Sequence, residues 1–276
     1  MLSLFQRSLA LLTDFAVCLP ALRLKEPDGN FAHPPQRYNP TELTSEPFLQ
    51  LLEALDRVSY GPIGLEMPRW AMYDCGELPG MVAGYGCPAR SAPHNVKKLL
   101  GVAEHYEGLV PLSMAIVIPQ PVTGGWLCYS LCSINEIAPG SAPARLRLLT
   151  LATLLARLEM AELWSIQQWR STNLEVFVRL GPLRLMSAYT PAHTHWRTLT
   201  CRVPVGRQSP ETLLMNPRPA WGVPTLMLDC DDASALMHLQ ERVERGEPAW
   251  VLGGPEVVGD RTLFPVKVGR PGEQAQ

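Results

Sequence analysis

Residues 170–191 read RSTNLEVFVRLGPLRLMSAYTP, and whether LEVFVRLG extends or coils decides the fold. Val176, Val178 and Leu180 alternate with Glu175, Phe177 and Arg179. That is the period of a half-buried strand, here turning at Gly181-Pro182 into LRLMSAY. The same letters fit a helix. Thr172 and Glu175 have capping-box spacing, in which the hydroxyl accepts an orphan N–H of the first turn and the carboxylate reaches back to the cap's own N–H. Gly181 before Pro182 is a stop signal, since Gly accepts the left-handed conformation past the last turn and Pro cannot continue the ladder. The two readings imply different folds.

The chain has 276 residues, 46% hydrophobic and 18% charged, with a formal net charge of -2. That is enough length for one large domain or two modest ones. A balance this close to neutral lacks the electrostatic footprint of a nucleic-acid binder, so nucleic acid is not an expected partner. Lys stands only at 25, 97, 98 and 267, which reads as codon bias before phosphate chemistry. Seven Cys are scattered without a C-x-x-C pair, as expected of buried thiols in a reducing cytoplasm. MLSLFQRSLALLTDFAVCLPAL (1–22) reads as an amphipathic helix docked on the body: Asp14 interrupts its apolar run, which falls short of the roughly 20 residues of a membrane span.

Downstream, residues 25–47 form a Pro-rich polar loop that ends in a helix start, with Ser45 as cap, Pro47 in the first turn, and Phe48, Leu51, Leu52 and Leu55 at helical spacing. RWAMYDC (69–75) and GMVAGYGCPA (80–89) read as short strands about a turn at Leu78-Pro79-Gly80, and HNVKKLLGVAEHY (94–106) as a short helix. GLVPLSMAIVIP (108–119) and GWLCYSLCSI (125–134) are apolar, strand-length runs joined by QPVTG, hence an antiparallel pair. ARLRLLTLATLLARLEM (144–160) carries one apolar stripe and is a helix. ELWSIQQW (162–169) and RTLTCRVPV (197–205) read as strands. After a Pro-rich bridge (208–224) follow strand TLMLDCD, a helix closed by Gly246, and strands AWVLGG and TLFPVKV, with the final GRPGEQAQ expected to be disordered.

With a helix at 172–180, the order from 108 to 205 is β-β-α-β-α-β-β. That order resembles the C-terminal two-thirds of the GNAT fold, the acyl-CoA-dependent N-acyltransferases. NLEVFVRLGPL is similar to the family's last helix and exit, written N…LYxRLGF, with Leu174, Phe177, Arg179, Leu180 and Gly181 on matching positions. The resemblance favours the helix. It implies an α+β fold whose central mixed, mostly antiparallel sheet is flanked by helices, with N- and C-terminal elaborations. The expected parts are a helix and Pro-rich loop at 1–44, a GNAT-like core at 45–206 and a small C-terminal unit at 207–276.

A thioester donor carries a pyrophosphate, which binds best to the free N–H groups at a helix N-terminus. NEIAPGSAPARLR (135–147) lies where the family keeps a Gly-rich phosphate loop. Here the loop retains Gly140 and Ser141, inserts Pro139 and Pro143, of which Pro143 has no N–H to offer, and adds Arg145 and Arg147 as charge-assisted contacts. The resemblance further implies that Ile134 and Asn135, ending strand 125–134, hold pantetheine and the thioester carbonyl, with Asn173 and Phe177 on the donor side. Where many members have a Tyr that protonates the leaving thiolate, this chain has Phe177, which has no proton to give. Glu136 is the nearest match to the family's base, with Tyr129 and Ser133 on the preceding strand as companions.

His193 and His195 share one strand face but lack further ligands nearby, so no metal is expected. Asp232 reads as an N-cap before it reads as a cation ligand. The expected function is transfer of an acyl group from a CoA-type or carrier-protein thioester to the amine of a small molecule, with no tightly bound cofactor, no membrane span, and a homodimer as one assembly. The alternative is a non-catalytic binding protein on the same scaffold. Fold alone does not separate them.

Overall fold

The computed structural model describes residues 12–24, 34–77, 80–142, 145–158, 160–191, 197–205 and 221–269. The expectations for 1–11, the Leu78-Pro79 turn, Pro143, His193 and His195, most of the bridge 208–224 and the 270–276 tail concern residues outside these ranges. The chain is α+β, with a large mixed sheet and, among the described residues, twelve strands and six α-helices. It divides into two compact units, Met1–Gln120 with Cys128–Glu159, and Pro121–Leu127 with Met160–Gln276.

In the first unit the strands are β1 (Thr13–Val17), β2 (Gln36–Tyr38), β3 (Met81–Pro88), β4 (Leu109–Pro119) and the second part of β5 (Gly125–Ser133), in spatial order β2-β1-β3-β4-β5. β1 runs parallel to β2 and antiparallel to β3, and β3 antiparallel to β4. The helices are α1 (Glu46–Tyr60), α2 (Arg69–Glu77), α3 (His94–Leu100) and α4 (Leu146–Arg157). Consecutive residues of β3 and β4 are buried, which requires cover on both faces. α4 lies over the face that carries Tyr85 and Ser113. Its Thr150 and Thr153 hydroxyls each meet one of those side chains at 2.7 Å, so the buried hydroxyls satisfy one another. Close strand approach explains Gly84 in β3: a Cβ there would stand 1.9 Å from the Ser113 carbonyl oxygen.

Two expectations fail in this unit. Residues 13–17 are a strand and not part of a helix, because Phe15, Ala16 and Val17 are all buried between two neighbouring strands. Residues 69–75 belong to α2 and not to a strand. Helical spacing brings Arg69 to the Tyr73 hydroxyl (3.2 Å) and turns Met72 inward, with Gly76 one turn later on the same side. Within the Pro-rich loop the short strand β2 also went unforeseen; its Tyr38 stacks on Phe48 of α1, ring centroids 3.9 Å apart. α1 begins as expected, with Pro47 in its first turn, though Ser45 makes no side-chain cap.

The second unit holds β6 (Glu162–Gln168), β7 (Leu183–Ser187), β8 (Thr198–Pro204), β9 (Leu226–Asp229), β10 (Ala249–Val251), β11 (Glu256–Val258) and β12 (Arg261–Val268). Its helices are α5 (Thr172–Val178) and α6 (Ala233–Glu244). The strand order is β11-β12-β10-β7-β8-β6, with β9 also on β12 and every pairing antiparallel. The contested segment is thus a helix, two residues short of the reading that extended it to residue 180. Its cap is Ser171 and not Thr172: the Ser171 Oγ accepts the Asn173 N–H at 3.2 Å. Gly181 does not take the left-handed conformation, being absent from the positive-φ glycines. What it offers is space, since a Cβ there would stand 3.0 Å from Val203.

A boundary at 206/207 does not match this unit, because β10 pairs with β7 and Trp221 donates its indole N–H to the Val178 carbonyl at 2.6 Å. Trp169, fully buried, donates to the Ala188 carbonyl and meets Phe264 edge-on at 5.2 Å, so residues on both sides of that boundary share one core. Asp232 caps α6 as expected, accepting the Ser234 and Ala235 N–H groups, and Gly246 closes the helix with a φ of 83°. β11 was not foreseen.

Candidate functional site

The loop after β5 begins with a turn, Ile134–Glu136, in which the Ile137 and Ala138 N–H groups both reach the Ile134 carbonyl. Asn135 then closes the loop on itself. Its side chain donates to the Ala142 carbonyl at 3.0 Å and accepts the Ala142 N–H at 2.9 Å, so one amide pins residues 135–142 as a single bend. Gly140 turns that bend with a φ of 80°, and the Ser141 hydroxyl is held from outside by the Asn95 side chain of α3 at 2.8 Å.

α4 starts from an unusual position. Arg145, its N-cap residue, sits at φ 65°, ψ 22°, the one non-glycine among the described residues with positive φ, and makes no side-chain cap to the helix. A left-handed L-residue costs about 1–2 kcal/mol. Arg145→Gly is therefore expected to raise the urea midpoint by an amount worth about 1 kcal/mol. An unchanged or lower midpoint would show that no strain is stored there.

The candidate residues fall into two groups. Tyr129, Ser133, Ile134, Asn135, Glu136, Gly140, Ser141, Arg145 and Arg147 all lie in the first unit, on β5, its following loop and the start of α4. Asn173 and Phe177 lie on α5 in the second unit, where Phe177 is 1% exposed and forms part of the core. Glu136 is ion-paired with Arg147. Burial raises its carboxyl above the usual range, while Arg147 and the Ser133 N–H pull the other way. Arg147 thus braces the loop carboxylate, and Arg145 is the exposed cation at the helix start. Tyr129 is exposed, Ser133 and Ile134 are buried, and His105 stands exposed on a separate loop.

Sequence reasoning missed three residues at the end of α1. The Tyr60 hydroxyl donates to the Leu131 carbonyl at 2.8 Å and accepts the Leu131 N–H at 3.2 Å, so a side chain serves both backbone groups of one β5 residue. Burial raises the Tyr60 phenol above its usual value, which keeps it neutral. One turn earlier, Asp56 is 2% exposed. Its Oδ2 accepts the Met67 N–H at 2.6 Å, and its Oδ1 has no hydrogen-bond partner. Ser59 Oγ is likewise buried; it meets the Cys132 thiol without full hydrogen-bond geometry, and the Asp56 charge is also felt at that thiol. The signal available in the sequence was a lone Asp on the apolar side of α1, between Leu52, Leu55 and Tyr60.

All seven cysteines are free and six are buried; desolvation pushes Cys128 up to about 12, which makes it a packed thiol and not a nucleophile. Among the described residues no three His, Cys, Asp or Glu side chains converge on a possible metal position, and no helix is long and apolar enough to cross a membrane. No family model matches this chain, and no curated protein matches it in sequence.

Proposed function

We propose that the protein is a GNAT-like N-acyltransferase that moves an acyl group from a CoA-type or carrier-protein thioester to the amine of a small molecule. The observation that carries this reading is the loop from Asn135 to Arg145. It is a bend locked by one amide side chain, leading into a helix whose N-cap residue provides no side-chain cap and is a strained, exposed arginine. A helix start, with its aligned N–H dipoles beside a cation, suits a pyrophosphate. Strain held at one non-glycine residue is characteristic of a ligand clamp. The order β4, β5, α4, β6, α5, β7, β8 follows the β-β-α-β-α-β-β sequence from which the resemblance was drawn.

In the reaction, the amine nitrogen attacks the thioester carbonyl carbon, the C–N bond forms, the C–S bond breaks, and the proton lost by nitrogen ends on sulfur. No protein nucleophile is needed. Positioning, together with backbone N–H groups at the developing oxyanion, supplies the rate. With Phe177 in the core and no proton to give, the neutral Tyr60 phenol, which bonds Leu131 of β5, is the oxygen acid proposed to supply a proton to the leaving thiolate.

Thermal unfolding with acetyl-CoA, longer acyl-CoAs and free CoA tests the reading. A ligand at about a hundred times its Kd adds roughly 2.7 kcal/mol to the native state. A raised midpoint is expected with at least one acyl-CoA, and Arg145→Ala is expected to shrink it. No shift with any of them overturns the proposal.

The ion pair that engages Glu136 favours a second reading, a binding protein without turnover, since a carboxylate held by Arg147 is a poor base. Stoichiometric thioester binding with no thiol release, in the presence of an amine panel, would select it.

A further inference from the structure

Asp56 and Ser59 are one helical turn apart on α1, so their side chains share a face. Both act on the Cys132 thiol of β5, Ser59 by a loose contact and Asp56 by its charge, and each carries a buried oxygen without a partner of full hydrogen-bond geometry. An unpaired buried polar atom costs about 1–3 kcal/mol, more when it is charged. Two in one place mark a position shaped for something that donates hydrogen bonds. The charges around it have one sign. Glu53 on the same helix and Glu66 on the covering loop both act on Asp56 as like charges, and Glu136 adds to the negative field at Cys132. Arg69 of α2 is engaged by Glu46 and, at 3.5 Å, by Glu53. Tyr60 is committed to Leu131.

From this arrangement we infer that Asp56 Oδ1 and Ser59 Oγ form a subsite for a primary ammonium group carried by the acceptor; the nitrogen that attacks the thioester is a neutral amine, so this charged head binds and orients and does not itself react. Two N–H bonds of one ammonium satisfy both orphan oxygens, and its charge offsets that of the carboxylate. A neutral donor meets the first requirement but not the second. A quaternary ammonium meets the second but not the first.

The cover over the subsite is the segment from Gly61 to Pro68. It is tied at its near end by the Leu65 N–H to the Tyr60 carbonyl at 3.1 Å, and over the subsite by the single Met67 N–H to Asp56 Oδ2 bond. Ile63 and Leu65 on it are 56% and 37% exposed, so much of their apolar surface already lies in water. The guest enters by breaking the Met67 tie and is enclosed when it re-forms. The assignment of the guest as the acceptor rests on the acyltransferase reading; the existence of the ammonium site does not.

The test uses the full-length chain at pH 7.5 in equal concentrations of methylammonium, sodium and tetramethylammonium chloride. Methylammonium is expected to raise the thermal midpoint above both controls, with the increment lost in Asp56→Asn and reduced in Ser59→Ala. By calorimetric titration, the methylammonium Kd is expected to rise about tenfold or more in Asp56→Asn, the loss of one charge-assisted hydrogen bond. Equal midpoints in the three salts, or an increment that survives in both variants, would show that the two oxygens hold only water and would overturn the inference. If methylammonium binds while no acyl-CoA does, the subsite stands and the acyltransferase reading falls; the reverse result separates them the other way.

Discussion

Replacing Arg157 by Met is expected to destabilise the first unit by about 3–5 kcal/mol, the cost of leaving one partner of a buried ion pair uncompensated. Arg157 is the last residue of α4 and is 3% exposed. Its Nε donates to Asp14 Oδ2 at 3.0 Å and its Nη2 reaches the same oxygen, so the guanidinium fastens the helix to β1. Met preserves much of the stem's volume and removes the charge. The Asp14 carboxylate, whose side chain is only 12% exposed, is then left without its cation. Urea unfolding of the variant against the parent measures the loss. Adding Asp14→Leu is expected to restore a large part of it, because an apolar pair of similar volume often matches a buried ion pair. A single variant within about 1 kcal/mol of the parent would mean that Asp14 finds water or another donor, and that the pair does not hold β1 to α4.

The second large effect depends on pH and arises at Asp56. Burial raises its carboxyl from 3.8 to about 6, with the Met67 N–H opposing and Glu66 and Glu53 adding to the rise. Between pH 4 and 6 the folded chain therefore holds a proton that the unfolded chain has released. Stability falls as pH rises wherever the native state binds more protons, so Asp56 lowers stability progressively across this window, by about 2–3 kcal/mol in all, and the penalty persists above it. Asp56→Asn cannot ionise and keeps an oxygen for the Met67 N–H. It is expected to match the parent near pH 4 and to exceed it by about 2–3 kcal/mol at pH 8 in the absence of amines. Comparing urea midpoints of the two chains across pH cancels every other titrating group. An Asn variant less stable than the parent at pH 8 would show that the carboxylate is satisfied in the native state, and would take the empty ammonium subsite with it.

How much of this was legible follows from the physics of each segment. The helix at 172–178 was readable because its start and stop are written in local chemistry, although the cap proved to be Ser171 and the glycine proved to be needed for its closeness to Val203. β4, β5 and α4 were readable because their apolar runs are long enough for period and length to agree. Residues 13–17 were misread for the opposite reason. A strand buried on both faces has no alternation, and beside further apolar residues it looks like one side of a helix. RWAMYDC misled because aromatic residues favour strands in general, whereas the Arg69–Tyr73 and Met72–Gly76 pairs that make it helical are visible only at a spacing of four.

The candidate site divides in the same way. Asn135, Gly140, Ser141 and Arg145 could be found from the loop's position before a long helix. That Asn135 closes the bend, and that Arg147 turns to Glu136 instead of outward, depends on the path of the chain between them. For Asp56, Ser59 and Tyr60 the sequence held one faint signal, a lone Asp on the apolar side of a helix. Their character comes from what the 61–68 segment and β5 exclude, and burial of that kind is a property of the folded chain and not of the letters.

β1 has a consequence for synthesis. Phe15, Ala16 and Val17 belong to an interior strand whose antiparallel partner begins at Met81, more than sixty residues later. On the ribosome, this sticky ribbon emerges long before the sequence that shelters it, and α1 and α2 must be made in between. The nascent chain thus passes through an interval with an open hydrophobic edge, during which holdase capture or lowered growth temperature governs the yield of native protein.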